Sequence, residues 1–318
     1  MTQFPNVVAH RGFKSKYAEN TFSAFNAASK INVDVIETDV QVTKDGYVVI
    51  NHDPNTGRNY DKNLIINEVT LEDLKQLVNI QDNTQRLITL REFLEWFVEQ
   101  PDDLKVMLDI KSSNNTDILT KILNELIQIN KDLKFWNEKV IFGLWTIEFY
   151  KFGIENEVLK NFEIINITIS PHIGQKFYQF SKSQKPEYQL SAISLLSVAT
   201  LTREFIKFHR EEVLTGNIDL YLWTVNEDED IEKAILLKAK GIITDKPDVC
   251  QDLISGFKSG ELKLNQSLIE IPSFLSLKGL KTNTRVLLFK VFEYSLLYGL
   301  FRYSSVRFVL EKMKSLIV

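Results

Sequence analysis

The chain has 318 residues, 44% hydrophobic and 25% charged, which argues against wholesale disorder and leaves room for one large domain with an appendage. Its formal charge of −4 is unevenly spread, with residues 1–256 at net −10 and residues 257–318 at net +6. An acidic body argues against a nucleic-acid partner, whereas a basic, apolar tail suits an anionic membrane surface.

A single cysteine, Cys250, rules out an internal disulfide, and the N-terminal MTQFPNVVAHRG lacks a basic-then-apolar leader. Both predict an intracellular protein, associated with a cytosol-facing membrane of mitochondrion, endoplasmic reticulum or lipid droplet if the tail docks there.

Taken in chain order, short apolar runs alternate with longer amphipathic ones. The strands expected are 6–10, 33–41, 105–111, 140–145, 164–170, 192–197, 220–225 and 241–245. Continuous apolar runs are the mark of parallel strands buried on both faces. Eight such β/α units predict a (β/α)8 TIM barrel over residues 1–256, with functional residues at the C-terminal strand ends. An open doubly wound sheet is the alternative, but no glycine-rich turn follows the first strand. One segment departs from the rhythm: TKDGYVVINHD (43–53) reads as a turn at Asp45-Gly46 and an extra strand that returns His52 toward the barrel mouth.

Glu37 and Asp39 stand two apart on one strand and so face the same way, as do Asp109 and Lys111 on the next. Converging carboxylates repel unless a cation or proton lies between them, and an all-oxygen set suits Mg²⁺ or Ca²⁺ better than zinc. The plain alternative is a solvated strand edge. His10 and His52 each end an apolar run. Beside a carboxylate pair they suit a general acid and base, although a lone histidine there is more often a core residue. Arg11 offers a planar fork for phosphate oxygens. His172 and His209 have no such company and read as structural or surface residues.

The ordered set His10-Arg11-Gly12, Glu19-Asn20-Thr21, Glu37-Thr38-Asp39, Asp45-Gly46 and His52-Asp53, with LDIK (108–111), WTVN (223–226) and ITDKP (243–247), resembles the signature of glycerophosphodiester phosphodiesterases. The resemblance spans roughly residues 5–255. It implies a (β/α)8 barrel with one divalent metal on Glu37, Asp39 and Asp109. It further implies His10 and His52 as the acid/base pair, with Arg11 and Lys111 on the phosphate. Many members carry Glu where this chain has Asp109, whose shorter arm shifts the metal or admits a water. The stretches 51–64, 133–145, 150–155 and 220–230 resemble the fungal phosphatidylglycerol phospholipase C branch. That implies phosphatidylglycerol cleaved to diacylglycerol and glycerol 3-phosphate, with Trp145 and Trp223 near the glycerol or an acyl chain. The rival readings are a soluble phosphodiesterase of deacylated phospholipids and an inactive lipid-binding barrel.

Beyond 256 the barrel pattern stops. Residues 257–284 read as a linker and 285–318 as an apolar and amphipathic membrane-associating tail. VLLFKVFEYSLLYGLF (286–301) is too short to span a bilayer as a helix, and Val306, Val309, Leu310, Met313 and Ile317 form an amphipathic stripe.

Overall fold

The computed structural model describes residues 4–269 and 277–297. Eight parallel strands close on one another: β1 (Asn6–His10), β2 (Val35–Val42), β4 (Lys105–Ile110), β5 (Val140–Leu144), β6 (Glu163–Thr168), β7 (Ala192–Leu196), β8 (Asp219–Trp223) and β9 (Gly241–Thr244). Each pairs with the next in that order, and β9 pairs back to β1, so the barrel has no open edge. β3 (Val48–Ile50) is the extra strand, antiparallel to β2 with Val40 opposite Ile50. Gly46, at φ +89°, makes the connecting turn in a conformation that L side chains rarely adopt.

Alternation along the strands divides the core. Val8, Val35, Met107, Ile141, Ile165 and Tyr221 fill the barrel interior. The outward residues, such as Ile36, Val106, Leu108 and Phe142, pack under the helices. On β2 and β4 the inward positions change from apolar to acidic toward the C-terminal end: Val35 then Glu37 and Asp39, and Met107 then Asp109. The pairing sets His10 opposite Glu37 and Asp39 opposite Asp109. Register therefore gathers the charges at one mouth.

The helices are built by ordinary local rules. α1 (Phe22–Lys30) starts at Thr21, whose hydroxyl accepts from the Ala24 N–H. α3 (Leu90–Phe97) begins with a capping box between Thr89 and Glu92, and it buries Leu90, Phe93, Leu94 and Phe97. The outer ring also includes α2 (Leu71–Lys75), α4 (Ile118–Ile129), α5 (Leu133–Lys139), α6 (Ile147–Glu155), α7 (Pro171–Lys182), α8 (Arg203–Phe208), α9 (Asp228–Leu236) and α10 (Pro247–Ser259).

The C-terminal region differs from the linker-and-tail division. α10 continues to Ser259, past the expected boundary at 256, and α11 (Leu277–Leu297) begins inside the stretch read as a linker. Gly279, Thr282, Asn283 and Thr284 are weak helix formers, but packing of the following turns overrides local propensity. Phe289 is fully buried on the barrel, with Phe292, Glu293 and Ser295 buried beside it. Lys290 and Glu293, which interrupt the apolar run in the sequence, pair with each other at 3.0 Å, and Lys290 also reaches Glu204 at 3.2 Å. Leu287, Val291 and Tyr294 stay exposed on the outer face. Among the described residues no helix is long and apolar enough to cross a membrane. The amphipathic stripe at 306–317 lies outside the described residues.

Candidate active site

The C-terminal end of β1 leads into a tight turn with Arg11 at φ +55° and Gly12 at φ +80°. A Cβ on Gly12 would lie 2.8 Å from two atoms of Ala24 in α1, so only glycine lets the turn sit against that helix. The turn aims the Arg11 backbone N–H at Glu37 Oε2, 2.9 Å away. Glu19-Asn20-Thr21 has one task per residue. Glu19 accepts from Arg11 Nη1 at 3.1 Å, Asn20 donates to Asp39 Oδ2 at 2.9 Å and accepts from Thr38, and Thr21 caps α1.

Glu37, Asp39 and Asp109 are all buried, and one oxygen from each lies within 4.8 Å of the others. Burial and the adjacent Asp39 and Asp109 carboxylates push the Glu37 carboxyl well above its usual range. Burial acts the same way on Asp39, but Lys111 and Arg11 outweigh it and hold Asp39 well below the usual range. Lys111 Nζ stands 2.5 Å from Asp109 Oδ2 and 2.8 Å from Asp39 Oδ1, yet no donor is aligned on that Asp39 oxygen. A hard divalent cation fits this donor set: three converging carboxylates, one oxygen without an aligned donor, and a proton otherwise forced onto Glu37.

Both expected histidines reach this mouth, and each has an aspartate behind it. His10 Nδ1 lies 2.6 Å from Asp245 Oδ1, and His52 Nδ1 lies 2.7 Å from Asp53 Oδ1. A carboxylate only accepts, so each ring donates from Nδ1 and keeps Nε2 for the pocket. Burial, with the charge of Arg11, lowers His10 to about 4 despite Asp245, so the ring is neutral at pH 7. His10, Arg11, Glu37, His52, Asp109 and Lys111 line one pocket of about 380 Å³. Asp39 lies just beneath, fully buried.

Residues 10–249 match the Glycerophosphoryl diester phosphodiesterase family. The chain belongs to this family. It is accordingly an enzyme, a phosphoric diester hydrolase. A glycerophosphodiester phosphodiesterase of Caldanaerobacter subterraneus subsp. tengcongensis is 28% identical over 253 residues, covering 78% of this chain and 97% of that protein. The human lysophospholipase D GDPD1 is 25% identical over 292 residues, covering 79% and 87%. The fold is shared with an Oleispira antarctica phosphodiesterase solved with the product sn-glycerol-3-phosphate, at TM-score 0.60, 17% identity and coverage of 79% and 97%.

In this phosphodiesterase a further set of side chains, most of them silent in the sequence pattern, holds the catalytic candidates in place. Arg58 ties Glu19 (2.7 Å) to Asp53 (2.6 Å), linking the turn after β1 to the His52 loop. Asn226 donates to Asp245 Oδ2 at 3.0 Å. Trp145 Nε1 donates to Asp109 Oδ1 at 2.7 Å, so both Asp109 oxygens are already engaged. Arg11 is likewise shared: Nη1 serves Glu19, and Nε lies 3.2 Å from Asp39 without alignment. Asp245 carried a signal that was available, since it directly follows the last barrel strand, which closure places beside β1. His172 is exposed, and His209 bonds the Leu237 carbonyl at 2.8 Å, away from the mouth.

The pocket has two halves. Trp145, beside the charges, meets Trp223 edge to face at 5.7 Å, and the apolar lining continues through Ile169, Leu196 and, from α11, Phe292.

Proposed function

We propose that this enzyme is a metal-dependent phosphodiesterase that hydrolyses glycerophosphodiesters at the barrel mouth. The observation that carries this reading is a cluster of three buried carboxylates and two aspartate-backed histidines around one pocket. Glu37, Asp39 and Asp109 hold the cation, with Trp145 and Lys111 orienting Asp109. The bound cation supplies charge neutralisation at the phosphoryl oxygens. Lys111 and Arg11 add fixed positive charge at the same oxygens, the largest expected contribution to such a reaction.

Neutral His10, with Nε2 facing the pocket, removes the proton from the nucleophile. His52, held by Asp53, returns a proton to the departing oxygen. The nucleophile is the 2-hydroxyl of the glycerol headgroup, forming a cyclic phosphate that water then opens. Attack within one bound molecule gains from proximity.

The names of the relatives above point to glycerophosphodiesters and lysophospholipids, so deacylated and monoacylated diesters are the first expectation. Intact phosphatidylglycerol, expected from the closer fungal resemblance, stands as a second reading. It is favoured by the apolar half of the pocket and by the exposed stripe of Leu287, Val291 and Tyr294, which suits a membrane surface. The test is to incubate the purified full chain with glycerophosphoglycerol, lysophosphatidylglycerol and phosphatidylglycerol, each with and without EDTA. EDTA-sensitive release of glycerol phosphate, or of lysophosphatidate and glycerol from the monoacylated diester, is expected. Absence of such release from all three would sink the first reading, and cleavage of glycerophosphoglycerol alone would sink the second.

A further inference from the structure

A cavity of about 720 Å³, larger than the catalytic one, opens on the outside of the barrel. It lies between α8 with the turn after it (His209–Val213), α9, the turn at Gln266–Leu268, and α11. Its floor is apolar, with Phe205, Ile206, Leu237 and Val286, and Leu214 and Ile269 stand exposed at the rim. Four cations also line it: Arg203, Arg210, Lys233 and Lys290.

Lys290 is compensated by Glu204 and Glu293. Among the described residues, no carboxylate lies within ion-pair distance of the other three. Arg203 and Arg210 are exposed and hydrated at little cost, but Lys233 is not. Its ammonium donates to Thr200 Oγ1 at 2.8 Å, one bond for a group with three donors. Burial pulls Lys233 down to about 8; the charge of Asp230 opposes it, and that of Arg285 adds a smaller push in the same direction as burial. A half-buried ammonium with no carboxylate in ion-pair contact is costly unless an anion comes to meet it.

We propose that this cavity binds an anionic amphiphile, an alkyl chain bearing a phosphate monoester, with the phosphate on Lys233, Arg203 and Arg210 and the chain over the apolar floor. Free phosphate leaves that floor wet, and a neutral lipid leaves the ammonium unpaired. Only a ligand with both parts meets both demands, and the volume lies within the usual range for small-molecule sites. None of these residues lines the catalytic pocket, so the site is separate from the phosphodiester chemistry.

The experiment is calorimetric titration of the full chain with dioctanoyl phosphatidate, dioctanoylglycerol and inorganic phosphate. Phosphatidate is expected to bind at least tenfold more tightly than either of the others. Lys233→Met and Arg210→Glu should each weaken it tenfold or more. Ligand captured at the catalytic mouth would be insensitive to both substitutions. Arg210 is exposed, so its variant tests the site even if Lys233→Met fails to fold, and a melting curve matching wild type shows it intact. Unchanged binding in Arg210→Glu, phosphate binding as tightly as phosphatidate, or no phosphatidate binding would each overturn the proposal.

Discussion

Asp245 is the most informative residue to change, because it touches the chemistry only through His10. Its Oδ1 accepts from His10 Nδ1 at 2.6 Å while Oδ2 accepts from Asn226 Nδ2 at 3.0 Å, and Lys14 Nζ stands 3.4 Å from Oδ1. Asp245→Asn preserves the shape but has a single acceptor oxygen, which the aligned Asn226 donor holds at the Oδ2 position against the longer 3.4 Å pull of Lys14 at the other. The new NH₂ then faces His10 Nδ1 and donates to it. That moves the ring proton to Nε2, the atom required as base. General base catalysis is worth about 10²–10⁴ in rate, or about 3–5 kcal/mol of barrier. The turnover number should therefore fall by about a hundredfold or more. KM should hold within about threefold, because Asp245 does not line the pocket. Initial rates of glycerophosphodiester hydrolysis under saturating divalent metal measure both. A turnover number within threefold of wild type would refute the tautomer argument, and an equal change in both constants would point to general disruption of the mouth.

Three further outcomes follow from the same geometry. Glu37→Gln keeps an acceptor for the Arg11 N–H but removes one of three crowded carboxylates. The variant should melt higher than wild type in EDTA, gain nothing from added Mg²⁺ or Ca²⁺, and lose activity, whereas wild type should gain several degrees from the metal. A wild-type melting curve indifferent to divalent metal would count against the site. His10, lowered from 6.5 to about 4, binds its proton more weakly in the fold than in the unfolded chain. Its contribution to stability is thus complete above pH 6.5 and lost as pH falls toward 4, by about 3 kcal/mol in all. Urea unfolding at pH 7 and pH 4.5 should show His10→Asn losing about 2–3 kcal/mol less between the two than wild type does; parallel losses would contradict the assignment. Gly12→Ala forces a Cβ to within 2.8 Å of Ala24 at φ +80°, and should destabilise by about 2–4 kcal/mol in the same assay, with no change taken as refutation.

The eight barrel strands were legible because buried parallel strands carry their burial on both faces, and their ends fall within about two residues of those read from the sequence. The hairpin to β3 was equally visible at Asp45-Gly46. Glu37 with Asp39, and Asp109 with Lys111, were legible from two-residue spacing alone. What stayed hidden depends on closure or on loops. Asp245 meets His10 across 235 residues of chain, and Arg58 reaches Glu19 and Asp53 from a segment with no periodicity. Trp145 was placed at the mouth as an apolar surface, whereas its indole N–H on Asp109 makes it an orienting group as well. α11 was half missed, because its first turns are poor helix formers and its buried positions answer to the barrel surface beneath them.

That last point bears on how the mouth is divided. The carboxylates, both histidines and both cations come from β1, β2, β4 and the loop after β3, all within the 10–249 stretch that matches the family. The apolar wall draws Leu196 and Trp223 from later strand ends, and then Phe292 from a helix outside that stretch. Phosphodiester chemistry demands a fixed constellation, since a carboxylate displaced by an ångström no longer shares a cation with its neighbours. An apolar wall tolerates substitution, because burial depends on area rather than direction. The two halves therefore face different constraints. Changes in α11 can alter what the pocket accepts without moving the groups that carry charge and protons, since its described hold on the barrel, through Phe289, Phe292 and the Lys290–Glu204 pair, involves none of them.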